Sequence, residues 1–487
     1  MVFSSLTFLT LFLSLTLGLY FLRSSIRWRN GVLLAASLFF YAWGEPLWIF
    51  AMVASALVNW LCAGMISASK NQGTKRLFLA IGIFFAGALL FACKYSTFFA
   101  NTFLSIFGSS MRLKGFALPI GISFYTFQII SYTVDVYREE TRAQKSFARL
   151  LLYVSCFPQL IAGPIVRYAD VAKEIGSRKT TPDDFAAGMQ RFVVGLGKKV
   201  IFANLLGLIM EELPLAGGAT SMSVLGAWYA AFIYALQIYF DFSGYSDMAI
   251  GLGRILGFHY RENFDYPFLA LSAGEFWRRW HISLGDWFRE YLMYPLMRTK
   301  RIRALSMKKS DKHSRMYYRN LATILVTMIV WSFTGLWHGA SWNFILWGVY
   351  YGLMMVIEKF VLGKVLSRTP NAVKWVINFI VALMSFVIFY YTDISLVGKH
   401  LAAMIGLGGG GLLDSASLTV MRTYSIFPLL SFAAAMPIVP RAKKWMESNL
   451  KPNIVETVRV VLLSAVLVMS VLFLVGQSVN PFIYFQF

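Results

Sequence analysis

Residues 320–357 read NLATILVTMIVWSFTGLWHGASWNFILWGVYYGLMMVI. The stretch contains no Asp, Glu, Lys or Arg, and His338 is its one side chain that can carry charge near neutral pH. As a helix it would rise about 57 Å, against roughly 30 Å of hydrocarbon in a bilayer, so it can cross twice with a turn between. Other blocks read the same way: 1–22, 46–69, 221–240, 375–392, 423–440 and 460–487 also lack acidic and basic residues. Each reaches or approaches the ~20 residues that a spanning helix needs. Stretches 31–43 and 116–136 are short or broken by Pro119 and Gly121, a pattern of re-entrant segments. The expectation is an all-α polytopic integral membrane protein with about ten to thirteen membrane segments. Composition agrees: 14% of residues are charged and 58% hydrophobic, whereas soluble domains carry roughly 25% charged residues.

The formal net charge of +22 would suggest nucleic acid in a soluble protein. Here the basic residues fall in short runs between apolar blocks, the positive-inside pattern, so anionic membrane lipids are the expected partners and nucleic acid is not. The richest run, within 298–319, holds Arg298, Lys300, Arg301, Arg303, Lys308, Lys309, Lys312, Arg315 and Arg319 against Asp311. With that run in the cytoplasm, the helix from Asn320 runs outward and the next returns to Lys359, Lys364 and Arg368. His338 then lies at the far turn of the hairpin or partway across. Likewise Arg23, Arg27 and Arg29, and then Lys70, Lys75 and Arg76, flank a hairpin turning at Gly44-Glu45-Pro46, with the N-terminus outside. The first 22 residues lack a basic n-region and a cleavage site, so they read as a first membrane helix. No linker, repeat or soluble head interrupts residues 1–487, which read as one membrane-embedded domain. Cys62, Cys93 and Cys156 have no metal-type spacing and read as buried free thiols.

Ionisable groups inside membrane segments are costly and are functional candidates by default. His338 stands between Trp337 and Gly339 with Asn343 shortly after. An apolar setting keeps such an imidazole neutral and able to accept a proton, while Asn343 can orient the ring or bind a carbonyl. A histidine hydrogen-bonded between packed helices explains the same residues. A second group, Glu275 to Trp287, contains Arg278, Arg279, Trp280 and His281 just before the basic loop. Its arginines suit the phosphates of a donor such as coenzyme A, but taken alone the segment reads first as an aromatic belt with snorkelling arginines, which needs no ligand. A third, Asp241 to Asp247, sets two carboxylates in a stretch otherwise fit to span the bilayer, for proton relay, substrate positioning or helix pinning, with Arg254 or Arg261 as counter-ions. His259, His313 and His400 lie beside loops or basic runs and read as solvated. There is no G-x-S-x-G elbow, Walker loop or H-E-x-x-H, so no metal site is expected and an ATP-driven pump or zinc protease is disfavoured.

Further segments complete a series: Leu118-Pro119-Ile120-Gly121 through Gln128, Phe157-Pro158-Gln159-Leu160-Ile161-Ala162-Gly163-Pro164-Ile165, Asp241 to Gly251, Asn263-Phe264 with Tyr266-Pro267-Phe268, Phe276 to Leu284, Trp337-His338-Gly339, and Phe482 to Phe487. In this order they resemble bacterial members of the membrane-bound O-acyltransferase family, of the kind that acetylates alginate. The resemblance implies tilted and broken helices around a central tunnel, in the bacterial cytoplasmic (inner) membrane. It implies acetyl transfer from cytoplasmic acetyl-CoA, a donor substrate and not a tightly bound cofactor, toward hydroxyls of an extracytoplasmic polysaccharide. His338 corresponds to the family's leading histidine, acting as general base, and His281 to its second, which binds or orients the donor or serves a covalent relay. A separate extracytoplasmic partner resembling SGNH hydrolases is expected to complete the transfer. Peptidoglycan, cellulose or another exopolysaccharide as acceptor, and D-alanine as acyl group, stay open within the enzyme class. A transporter or flippase is the rival from another class.

Overall fold

The computed structural model describes residues 1–115, 118–215, 221–307, 312–476 and 482–483. Every regular element among them is helical. Seven stretches are long and apolar enough to cross a bilayer: Trp48–Ala68, Gln72–Ile106, Pro182–Glu212, Met316–His338, Trp342–Val361, Asn371–Tyr390 and Pro452–Gly476. Two shorter apolar helices, Phe8–Phe21 and Ile394–Met404, accompany them. The side chains of Lys308, Lys309, Asp311, Lys312, His313 and Arg315, and residues Tyr484 to Phe487, lie outside the described residues.

The opening stretch folds as the expected hairpin, with Lys312–His338 and Trp342–Val356 as its arms. Two glycines close it. A Cβ on Gly335 would collide with the Phe344 carbonyl, and one on Gly348 with the Trp331 carbonyl. Small residues thus let the two backbones touch, the usual means of helix association in lipid. The block 423–440, by contrast, does not span. It yields Ile426–Ala434, after which Ile438–Asn449 starts anew behind Pro437, a residue without an N–H to carry the ladder through. The 31–43 stretch belongs to a longer helix, Ile26–Gly44, whose first turn carries Arg27 and Arg29.

The chain forms two compact units. The first comprises Met1–Gly197, Phe242–Glu262 and Ala465–Gln486. Within it Gly121 adopts φ +77°, and a Cβ there would lie 2.7 Å from the Leu160 carbonyl oxygen. That contact packs the Leu118–Gln128 segment directly onto Phe157–Ile165. A second seam joins Gly188 and Gly195 to the 242–255 region: a Cβ on Gly195 would lie 2.6 Å from the Gly244 oxygen, and one on Gly188 2.7 Å from that of Gly251. Arg178, 8% exposed, donates to Tyr20 Oη, the Leu256 and Glu174 carbonyls and Asn30 Oδ1. Leu256 and Glu174 lie at helix C-terminal ends, whose partial negative charge offsets the buried guanidinium.

The second unit comprises Lys198–Asp241 and Asn263–Ser464. Its core is aromatic, including Phe276, Trp277, Trp280, Trp347, Tyr351, Phe386 and Phe389. Both histidines singled out in the sequence belong to this unit.

Candidate active site

His338 is the last residue of its helix and is 5% exposed. Its ring centroid lies 5.0 Å from Trp337, 4.9 Å from Trp347 and 5.2 Å from Phe389, each edge-on. The helix ends there because the chain must turn at Gly339-Ala340-Ser341 before Trp342, and a Cβ on Gly339 would collide with the Phe344 ring.

His281 is fully buried and sits before the short helix Ile282–Phe288 with φ +45°, a strained value for a residue with a side chain. A capped helix precedes it. Ser272 Oγ accepts from the Glu275 N–H, the Glu275 carboxylate accepts from the Leu271 N–H, and Glu358 accepts from the Ala273 N–H. Backbone bonds from Asp265 to Arg279 and from Ile282 to Asn263 fasten the loop on its other side. Asn263 Oδ1 accepts from the Ser283 N–H and Oγ–H and lies 3.2 Å from His281 Nδ1. An amide oxygen only accepts, so Nδ1 carries the proton and Nε2 keeps its lone pair. His281 lies outside the spanning helices, and burial pushes its pKa down to about 3, so the imidazole is neutral.

The Trp337 indole joins the two histidines, with its ring centroid 6.0 Å from His281 and 5.0 Å from His338. Around them Trp277, Trp331, Trp347 and Tyr351 meet one another at centroid distances of 4.7 to 6.3 Å. Asn343 is fully buried, and its Nδ2 points to the Ile388 carbonyl at 3.5 Å.

The other candidates take different places. Trp280 is packed on Phe276 and Phe386 and belongs to the core. Arg279 is held by Glu275 and Asp265, while Arg278 is exposed. The two carboxylates are not partnered by Arg254 or Arg261, which pair with Asp184 and Asp170. Asp241 instead meets Lys199 at 2.5 Å, both nearly fully buried, and Asp247 meets Arg191 at 2.6 Å. Arg191 also binds Glu262. Arg254 and Arg261 were nearer in sequence, but helix packing brings up residues some forty to sixty positions earlier. His400 is likewise not solvated: it is 3% exposed, bonded through Nδ1 to Tyr391 Oη and through Nε2 to the Ala227 carbonyl. Its helix turns the ring inward although Lys399 next to it is exposed. His259 is exposed and pairs with Glu174.

Trp277, Trp347, Phe389, Lys199 and Asn263 escaped assignment from sequence. Trp347 carried a signal, since it follows Asn343 by four residues and so shares its helix face. Asn263 stood in a recurring segment, but its grip on His281 crosses a long sequence gap.

Comparison with known proteins then fixes the family. The model of the MBOAT, membrane-bound O-acyltransferase family, matches residues 131–308, which include His281 and stop short of His338. The chain is 36% identical to the probable alginate O-acetylase AlgI of Azotobacter vinelandii over the whole of both proteins. The chain belongs to the membrane-bound O-acyltransferase family. As a member it is a membrane-embedded O-acyltransferase, and the transporter reading falls away. It is also 31% identical to the peptidoglycan O-acetyltransferase of Helicobacter pylori, over 93% of this chain and 91% of that one. Similarity to the teichoic acid D-alanyltransferase of Bacillus subtilis is 29% identity over 50% of this chain and 59% of the relative.

Proposed function

We propose that this acyltransferase moves an acetyl group from cytoplasmic acetyl-CoA toward hydroxyls of an extracytoplasmic, alginate-like polysaccharide, across the bacterial inner membrane. The observation that carries the reading is the packing of one indole, Trp337, against both His281 and His338. His281 lies three residues after the exposed Arg278 and precedes the basic run, where charge puts the cytoplasm. His338 ends a helix that starts beside that run and, on the same charge argument, leads away from the cytoplasm. A donor approaching from one side and an acceptor from the other would meet at this cluster.

In this reading His338 removes the proton from the acceptor hydroxyl as it attacks the acetyl carbonyl carbon. Neutral His281, fixed by Asn263, orients the donor, and Arg278 is free to meet coenzyme A phosphates. The aromatic lining excludes water that would hydrolyse the thioester. A separate extracytoplasmic partner completes delivery to the polymer. The full-length likeness to an alginate O-acetylase, against half-length likeness to a D-alanyltransferase, supports acetyl as the group transferred. The near-full-length likeness to a peptidoglycan O-acetyltransferase supports a second reading, the same chemistry with peptidoglycan as acceptor.

The test is acetyl-CoA turnover by purified protein in nanodiscs, with partner and with alginate or peptidoglycan fragments supplied. His338→Ala should lower turnover about 10²- to 10⁴-fold without loss of the monodisperse elution profile. Wild-type protein that cleaves no thioester under these conditions, or a fully active His338→Ala, refutes the reading.

A further inference from the structure

Three buried polar atoms in the residues around His338 have no hydrogen-bond partner among the described residues: Nε1 of Trp347, Nε1 of Trp277 and Oδ1 of Asn343. Their residues are 3%, 7% and 0% exposed. The Trp347 ring centroid lies 4.9 Å from that of His338 and 5.4 Å from that of Trp277. An indole N–H only donates, and burying one without an acceptor costs free energy. One such donor packed on His338, with a second on the ring behind it, describes a place suited to an acceptor atom. Trp277 and Trp347 also sit among interlocking rings, so each is held rigidly whatever it binds.

The sequence left two roles open for Asn343, orienting the imidazole or binding a carbonyl. In the structure its Nδ2 is directed to the Ile388 carbonyl, which leaves Oδ1, an acceptor, as its open atom. A carbonyl oxygen cannot use it, whereas a hydroxyl can. The carbonyl's donor must come from elsewhere, and the indole of Trp347, packed edge-on against the His338 ring, is a donor without a partner among the described residues.

We infer that the Trp347 Nε1–H, assisted by that of Trp277, donates to the carbonyl oxygen of the acyl group in transfer, so that Trp347 is a further catalytic residue. The inference rests on the thioester chemistry proposed above. The acceptor oxygen bonds to the acyl carbon as its proton passes to His338, and the carbonyl π pair moves onto oxygen. That oxyanion is the species the indole N–H stabilises, because charge develops there only in the transition state. The pair then returns, the C–S bond breaks, and the departing thiolate takes the proton from His338. The products are the ester and the free thiol, with nothing left over.

Trp347→Phe keeps an aromatic ring and removes the donor. Loss of one oxyanion donor typically lowers kcat about 10²- to 10³-fold, so this variant should lose at least roughly 30-fold in kcat with its acetyl-CoA KM changed less than about threefold. Trp277→Phe should lose less. Where Trp347→Phe folds poorly, 3-benzothienylalanine at position 347, which has the indole shape without the N–H, takes its place. A second readout uses the ketone analogue acetonyl-CoA labelled with ¹³C at its carbonyl. Its infrared C=O band should lie lower bound to wild type than bound to the position-347 variant, a shift that mere packing damage does not produce. A folded variant with wild-type kcat, or with an unmoved carbonyl band, overturns the inference while leaving the role of His338 standing. Wild-type protein without thioester turnover takes down both.

Discussion

Lys199 and Asp241 make the ion pair whose loss should be felt most. Their nitrogen and oxygen lie 2.5 Å apart, with side chains 3% and 1% exposed. Lys199 sits in the π-helical turn Lys198–Ala203, and Asp241 lies within Val224–Ile255, so the pair ties two long helical segments of one unit. Lys199→Met keeps most of the side-chain volume but leaves a buried carboxylate without its cation. Breaking a buried pair from one side costs about 3–5 kcal/mol, because the remaining charge is still out of water. At roughly 2 °C per kcal/mol for a chain of this size, the apparent Tm should fall about 6–10 °C. Asp241→Asn, which strands the ammonium, should cost a similar amount. The double variant Lys199→Met/Asp241→Asn retains neither charge and should recover more than half of either loss. The assay is tryptophan-fluorescence melting of detergent-purified protein at one fixed scan rate, since membrane proteins of this size unfold irreversibly. A Lys199→Met variant within about 2 °C of wild type, or a double variant as unstable as the two singles added, refutes the reasoning.

Asn263→Ala removes the acceptor that fixes the His281 tautomer and also bonds Ser283, so turnover should drop at least about tenfold, with donor KM rising; unchanged kinetics would mean that His281 needs no orientation. Gly195→Val places side-chain atoms into the Gly244 carbonyl and should cost about 3 kcal/mol or more, read as lost monodisperse protein on size exclusion. The neighbouring arginines should separate. Arg279→Ala, which breaks contacts to Glu275 and Asp265, should lower stability by about 1 kcal/mol, while exposed Arg278→Ala should leave Tm unchanged and raise the acetyl-CoA KM. Equal effects of the two on KM would remove the phosphate role from Arg278.

The membrane class was legible because hydropathy is a one-dimensional property: a long uncharged block points to a helix in lipid before anything is known of what it packs against. The 320–357 hairpin followed from that alone, while His338 at its far turn was one of the two places the reading left open for it. The family was legible for a different reason, since its segments keep their order along the chain. Where a block ends was less readable. The 423–440 stretch has the composition of a span, and only the break at Pro437 divides it.

Partners across long gaps were the part that the sequence withheld. Arg254 and Arg261 were the near choices for Asp241 and Asp247, yet Lys199 and Arg191 hold them, because helix crossing and not chain proximity decides which charges share a buried space. His400 looked solvated beside Lys399, but a helix gives adjacent residues different faces and this one faces Tyr391 and Ala227. The candidate site shows the same division. Trp337, His338 and His281 could be named in advance as residue types suited to acyl transfer. That one indole touches both imidazoles, that Asn263 sets the tautomer of His281, and that Trp347 packs on His338 with Trp277 behind it, both indole donors without a partner among the described residues, were decided only by tertiary packing. The physical reason is that hydropathy and local order are written residue by residue, whereas the satisfaction of a buried polar atom depends on which distant atom the fold brings within 3 Å of it.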